Sequence, residues 1–164
     1  MFDKRSALIG AGGTIAGRAL LSRLILLKLR RDVRRLNSGD YQPLLAGYAE
    51  DAVLRFAEGP HRWSGEHRGK AAIERFLQNF TKAGVQGKLT EIWFGGPPWA
   101  LTLAGRFNDG AVGPDGEQLY ANRVAIVVRT RWGRIVEHDD FFIDTARITA
   151  FEEKLQTLGV APAR

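Results

Sequence analysis

The feature that most limits the fold is a change of hydrophobic period partway along the chain. Up to about residue 82 the apolar residues recur at helical spacing, and beyond it they alternate with polar ones. Leu29, Val33 and Leu36 mark a first helix, which Asn37-Ser38-Gly39-Asp40 stops. Asp40 can cap a second helix with Pro43 in its first turn, placing Tyr41, Leu44, Leu45 and Tyr48 on one face. Short strands are expected at 52–57 and 61–64, and a helix at 70–82 buries Ile73, Phe76, Leu77 and Phe80. Alternation then predicts strands near 88–94, 100–108, 118–131 and 134–144, before a closing helix over 146–158. Gly95-Gly96-Pro97-Pro98 and the glycine-rich stretch 109–116 separate the first three of these strands. Helices first and antiparallel strands after them make an α+β domain. No internal repeat is present, and 164 residues suit one domain able to bury roughly two thirds of its unfolded surface.

Charge divides the chain more sharply than hydropathy does. Residues 1–35 hold nine Lys and Arg against Asp3 and Asp32, whereas the remainder holds fifteen basic and sixteen acidic groups. The whole excess of positive charge therefore sits on an N-terminal arm, a candidate for an anionic membrane surface. The body lacks the basic, aromatic-interleaved stripe of single-strand binders, so nucleic acid is not an expected partner. Without cysteine there is no disulfide framework, thiolate metal site or cysteine nucleophile.

Within the arm, Gly10, Gly12 and Gly13 imitate a dinucleotide-binding turn. Ile15 stands where its third glycine belongs, and no βα alternation follows. A spanning helix needs about 20 largely uncharged residues, and Arg18 and Arg23 interrupt this segment. The run 28–35 is dense in charge and no clean small-x-small cleavage site appears, which argues against a signal peptide. Leu20, Leu21, Leu24, Ile25, Leu27 and Leu29 interleave with basic residues, as in a first helix packed on its own domain or an interfacial one. The expected location is cytoplasmic, with peripheral attachment to the inner membrane surface as the interfacial variant.

Three blocks in order, LNSGDYQPLLAGYAEDAVLRF, HRGKAAIERFL and RWGRIVEHDDFFID, resemble the SnoaL-like (polyketide cyclase) branch of the nuclear transport factor 2-like superfamily. The resemblance implies a cone-shaped, curved antiparallel sheet wrapped by three to four helices, the cystatin-like roll, around an apolar cavity. It also implies pairing as a homodimer through the outer face of the sheet. The organisation expected is an arm at 1–27, the domain at 28–158 and a tail at 159–164.

A two-residue turn at Trp132-Gly133 would put Arg131 opposite Arg134. Counting back, Arg129 would face Val136, Val127 His138, Ala125 Asp140 and Arg123 Phe142, all on one side of the sheet. By the resemblance that side lines the cavity. Asp140 is then the candidate acid/base, His138 its assistant and Arg123 the stabiliser of developing negative charge. Desolvation among Val127, Val136 and Phe142 would raise the Asp140 pKa, and an ion pair with Arg123 would lower it. Tyr48, Phe56, Trp63, Val127 and Phe142 are candidate substrate-binding residues. Trp93, Phe94 and Trp99 are expected in the core or pocket wall, and Tyr41 could also aim its hydroxyl inward.

The resemblance allows known activities to be compared position by position. The base of ketosteroid isomerases falls on Phe56 and their tyrosine donor on Asp32, which disfavours that reaction. Limonene-type epoxide hydrolases would keep Asp140 and Arg123, with their second aspartate falling on Ala125. A cyclase scheme with one acid/base aspartate at Asp140 remains open. The expected activity is that of a lyase, isomerase or hydrolase on a small apolar oxygenated molecule, with no cofactor signalled. The alternative is a binding or assembly module without chemistry. His61, His67 and Glu58 sit in loop spacing without an ordering signal, and no metal is expected.

Overall fold

A computed structural model describes the backbone of residues 4–163 and the side chains of Gly17 and residues 19–163. Helix α1 runs Lys4–Asn37 and a single turn, α2, Gln42–Leu45. Strands β1 (Tyr48–Phe56) and β2 (Gly65–Arg68) precede α3 (Lys70–Lys82). Then come β3 (Gln86–Gly95), β4 (Thr102–Val112), β5 (Gln118–Arg131), β6 (Arg134–Phe142) and α4 (Ala146–Thr157). The architecture is α+β, as the change of period predicts.

The chain divides into two compact units, one ending at Arg31 and the other starting at Asp32. In the first, α1 exposes Leu20, Leu24 and Leu27 at 55–60% of their surface. Among the described residues no helix is long and apolar enough to cross a membrane.

The second unit is built on one six-stranded sheet in the order β2-β1-β6-β5-β4-β3. Every neighbouring pair is antiparallel except β1 and β6. Register shifts in four of the five pairings mark bulges, which bend a sheet and sharpen its twist. Helices α3 and α4 carry Ile73, Phe76 and Leu77, and Ile148, Phe151 and Leu155, into a core shared with Tyr48, Leu54 and Trp63. The end of α1 is tied to β3 by Asn37, whose amide donates to Gly87 O and accepts from Gly87 N, both at 2.9 Å. One side chain thus stands in for a neighbouring strand.

Three expectations are corrected. The helix proposed over 40–48 stops at Leu45, and Tyr48 opens β1, because Ile135 N of β6 bonds to Gly47 O and pulls the chain into the sheet. The strand expected at 61–64 lies instead at Gly65–Arg68. Residues 57–64 form a loop closed by Gly59 N to Ser64 Oγ at 3.0 Å. Finally, β4 continues past Asn108 to Val112, so Asp109 belongs to the sheet and pairs with Asn122. The glycine there reflects crowding, since a Cβ on Gly110 would meet Tyr120 O at 3.3 Å.

Candidate active site

The β5–β6 hairpin turns at Trp132-Gly133 as expected, with Arg131 opposite Arg134 and φ of 49° and 76° at the two turn residues. The register then shifts. Thr130 pairs with Ile135, but Arg129 pairs with Glu137, leaving Val136 as an extra residue. A one-residue bulge exchanges the two faces of everything beyond it. His138 therefore lies opposite Val128, Asp140 opposite Ile126 and Phe142 opposite Val124. Arg123 and Val127 fall on the other face, where Arg123 is exposed. This corrects both assignments: Arg123 cannot share a face with Asp140, and Val127 does not line the cavity side.

The inner face brings together three groups that the strands hold in sequence. Tyr48 at the start of β1 is 1% exposed, and its hydroxyl lies 2.5 Å from His138 Nδ1. His138 Nε2 lies 2.9 Å from Asp140 Oδ1. Burial, and then the charge of Asp140, push the Tyr48 phenol far above its ordinary value, so it keeps its proton. A hydroxyl that donates to Nδ1 leaves the ring proton on Nε2, which donates to the Asp140 carboxylate. One tautomer satisfies both bonds. Asp140 Oδ2 makes no hydrogen bond among the described residues, so one oxygen is oriented and the other is available.

Beside this chain lies an apolar pocket lined by Phe56, Trp63, Phe80, Phe142 and Phe151, with Asp109 and Tyr120 as its polar members. Its free space is about 10 Å³ at the centre of a water-sized sphere, room for about one water. Helix α4 covers it, and a buried pair holds α4 to the loop 57–64. Arg62 Nε and Nη2 reach the two Glu152 oxygens at 2.8 and 3.0 Å, with side chains only 2% and 5% exposed. Burial works to raise the Glu152 pKa, but the hydrogen bonds from Arg62, with help from Gln156, outweigh it and hold it low.

Asp109 behaves differently. Burial, reinforced by the charge of Asp140, pushes its carboxyl up to about 7. The Tyr120 phenol is also driven upward, chiefly by burial. The charge of Asp140 contributes to both shifts. A glycine in β3 makes room for Asp109, since a Cβ on Gly87 would stand 3.2 Å from Asp109 Oδ1.

Of the residues expected to line a site, Phe56, Trp63 and Phe142 do so, and Tyr48 joins the chain of hydrogen bonds. Tyr41 is held elsewhere, by Glu74 and Gln78. Trp93 and Trp99 are corrected to surface positions, 51% and 55% exposed, because Trp93 shares the outer face with Val127 and Asp139. Asp139 and Glu137 pair with Arg55 at 3.0 Å and Arg129 at 3.1 Å. His67 bonds to Trp63 O at 2.9 Å. No three metal-ligating side chains converge among the described residues. Asp109 was missed because the glycines at 110, 113 and 116 read as one long loop, whereas Tyr120 lies inside the expected strand 118–131 and only its facing was unread. The signal available was the alternation Phe107-Asn108-Asp109-Gly110-Ala111, which continues the strand.

The sequence pattern of the SnoaL-like domain matches residues 29–138. Among solved structures, Bal32a from a soil-derived mobile gene cassette is 22% identical, with a TM-score of 0.62 over 78% of this chain and 93% of its own. TerC, co-crystallised with polyporic acid, is 18% identical, with a TM-score of 0.60 over 78% and 97%. A putative polyketide cyclase from Sinorhizobium meliloti is 17% identical, with a TM-score of 0.54 over 70% and 93%. Other neighbours are described as cystatin-like and NTF2-like, which agrees with the roll expected from the three sequence blocks. No curated protein matches the chain in sequence.

Proposed function

Because the chain belongs to the SnoaL-like domain family, we propose that it is a cofactor-independent enzyme moving protons on a small apolar molecule that carries a carbonyl or related oxygen. Polyketide-, terpenoid- or steroid-like compounds suit the aromatic walls. The observation that carries this reading is the half-buried Tyr48–His138–Asp140 chain, whose His138 and Asp140 share a face of β6 with the pocket residue Phe142. Asp140 Oδ2 takes a proton from carbon, and His138, fixed by Tyr48, holds Oδ1 and stabilises the carboxylate between turnovers. The stabilising role expected of Arg123 is dropped with its face. Substrate enters with a movement of α4, because the pocket as it stands holds no more than about one water.

The test uses 2-tetralone, a ketone with acidic α-hydrogens, in D2O. The wild type is expected to accelerate replacement of those hydrogens by deuterium, followed by NMR. Asp140→Asn is expected to slow it by about 100-fold, the usual scale for a general base. Equal rates in the two proteins, or no acceleration by the wild type, would sink the proposal.

A second reading concerns the first unit. Leu20, Leu24 and Leu27 stand exposed at i, i+4 and i+7 beside exposed Arg23 and Arg30, the pattern of a helix lying on an anionic bilayer. This supports a binding or assembly role at a membrane surface in addition to, or instead of, chemistry. Co-sedimentation with vesicles containing phosphatidylglycerol should be lost when the three leucines become serine. Unchanged sedimentation removes this reading. The outer sheet face, with Trp93 and Phe141 exposed, supports pairing with a second copy.

A further inference from the structure

We propose that Asp109 is a second catalytic group of the pocket, a carboxylic acid that hydrogen-bonds and protonates the substrate oxygen while Asp140 removes the proton from carbon. The inference rests on the proton-transfer reading above and assigns the other half of that reaction to a residue on a different strand.

The placement is specific. Asp109 lies on the inner face of β4, opposite Asn122, and lines the pocket together with Trp63, Tyr120 and Phe151. Its side chain makes no hydrogen bond or ion pair among the described residues, whereas Glu152 and Asp32 are both partnered. A half-buried carboxyl that serves only the fold usually has a partner as well, since desolvating it unpaired costs free energy. Gly87 leaves the carboxyl its space, because any Cβ there would press on Oδ1 at 3.2 Å. Trp63, another residue of the pocket wall and 2% exposed, has its Nε1 buried without a partner. Two donors without acceptors, at an apolar wall, are complementary to a carbonyl or ether oxygen.

The charges around Asp109 support this role. From β6 it feels Asp140, and from β5 the Tyr120 phenol stands nearby. The helices and β1 contribute only Phe80, Ile148, Phe151 and Phe56 to the pocket. Arg147 on α4 acts on Tyr120, but no cation among the described residues acts on Asp109 itself, and with its proton affinity raised to about 7 it retains a protonated fraction near neutrality. Two carboxyls with different surroundings divide the work into acid and base.

The step balances without a co-reactant. The α C–H bond breaks and its proton goes to Asp140. The electron pair becomes the enol C=C, and the carbonyl π pair goes to oxygen, which takes the Asp109 proton. Reversal in D2O returns a deuteron to carbon, and nothing is oxidised or reduced.

Two measurements test it. Carboxyl-carbon NMR of protein labelled at aspartate should give Asp109 a midpoint near pH 7, moved downward in Asp140→Asn by loss of the neighbouring charge. Exchange of 2-tetralone should decline above about pH 7 in the wild type. Asp109→Asn keeps a donor but no transferable proton, so its exchange should be about tenfold slower and flat between pH 6 and 8. Asp109→Leu should slow exchange by about 100-fold while the fold, read by circular dichroism, is kept. An Asp109 midpoint near 4, a falling limb that survives in Asp109→Asn, or a wild-type rate in Asp109→Leu overturns the assignment. Failure of the Asp140 reading is separate: it shows as undiminished exchange in Asp140→Asn, whereas the Asp109 titration is measured with no ketone present.

Discussion

Asp109, half-buried, and Glu152, buried, show how two carboxyls in one small domain are set to opposite ends of their range. Glu152 accepts two bonds from Arg62, while Asp109 faces aromatic rings and another acid. The Asp109 pKa is higher folded, at about 7, than the ordinary 3.8 of the unfolded chain. The folded state therefore holds an extra proton between those values, and stability falls as pH rises from about 4 to about 7. Three pH units correspond to about 4 kcal/mol at most. Asp109→Asn should remove that slope, so the variant gains on the wild type between pH 5 and pH 8 in urea unfolding. A constant difference across that range would show that Asp109 is ionised when folded. At this scale the sequence disclosed Asp140 and His138, two residues apart on an alternating strand. It concealed the real neighbours, because a side chain's face depends on a bulge that leaves no clear mark among Ile135, Val136 and Glu137.

Among the elements, the β5–β6 hairpin and α4 decide what the site can be. The turn at Trp132-Gly133 was legible, since both positions accept positive φ, one by glycine and one at modest cost. Helix α3 was legible to the residue, because its apolar stripe is uninterrupted between Lys70 and Lys82. The closure of the pocket was not. It depends on Arg62 and Glu152, ninety positions apart, and on Arg62 reaching Val160 O at 2.8 Å. No local pattern encodes such a pair. Removing one partner leaves a buried charge uncompensated, so Glu152→Gln should destabilise the protein by about 3 kcal/mol in urea unfolding. A loss below about 1 kcal/mol, the scale of a surface pair, would mean that α4 is held by its apolar contacts alone. The same variant should speed ketone entry if α4 is the barrier, raising exchange at low ketone concentration.

For the whole molecule, the order of helices and alternating strands was enough to place the chain in its fold, because period and order are properties of the sequence alone. What the outer surface does lies beyond that order. The outer face carries Trp93 and Phe141, 51% and 58% exposed, between the ion pairs Arg106–Glu91 and Arg129–Glu137. Exposed aromatic rings interspersed with ion pairs on one sheet face suit contact with a second copy. Light scattering should therefore give twice the 18.2 kDa of one chain, falling to one chain in Phe141→Lys. A monomeric wild type would leave that face without a partner copy. The central claim, that Asp140 performs chemistry in this pocket, is tested most directly by what the protein carries out of its host. Wild type and Asp140→Asn would each be purified natively and their bound small molecules identified by mass spectrometry. The account predicts an altered compound released by the wild type and its unaltered precursor retained by the variant. The same unchanged compound on both would contradict it and make the protein a binder.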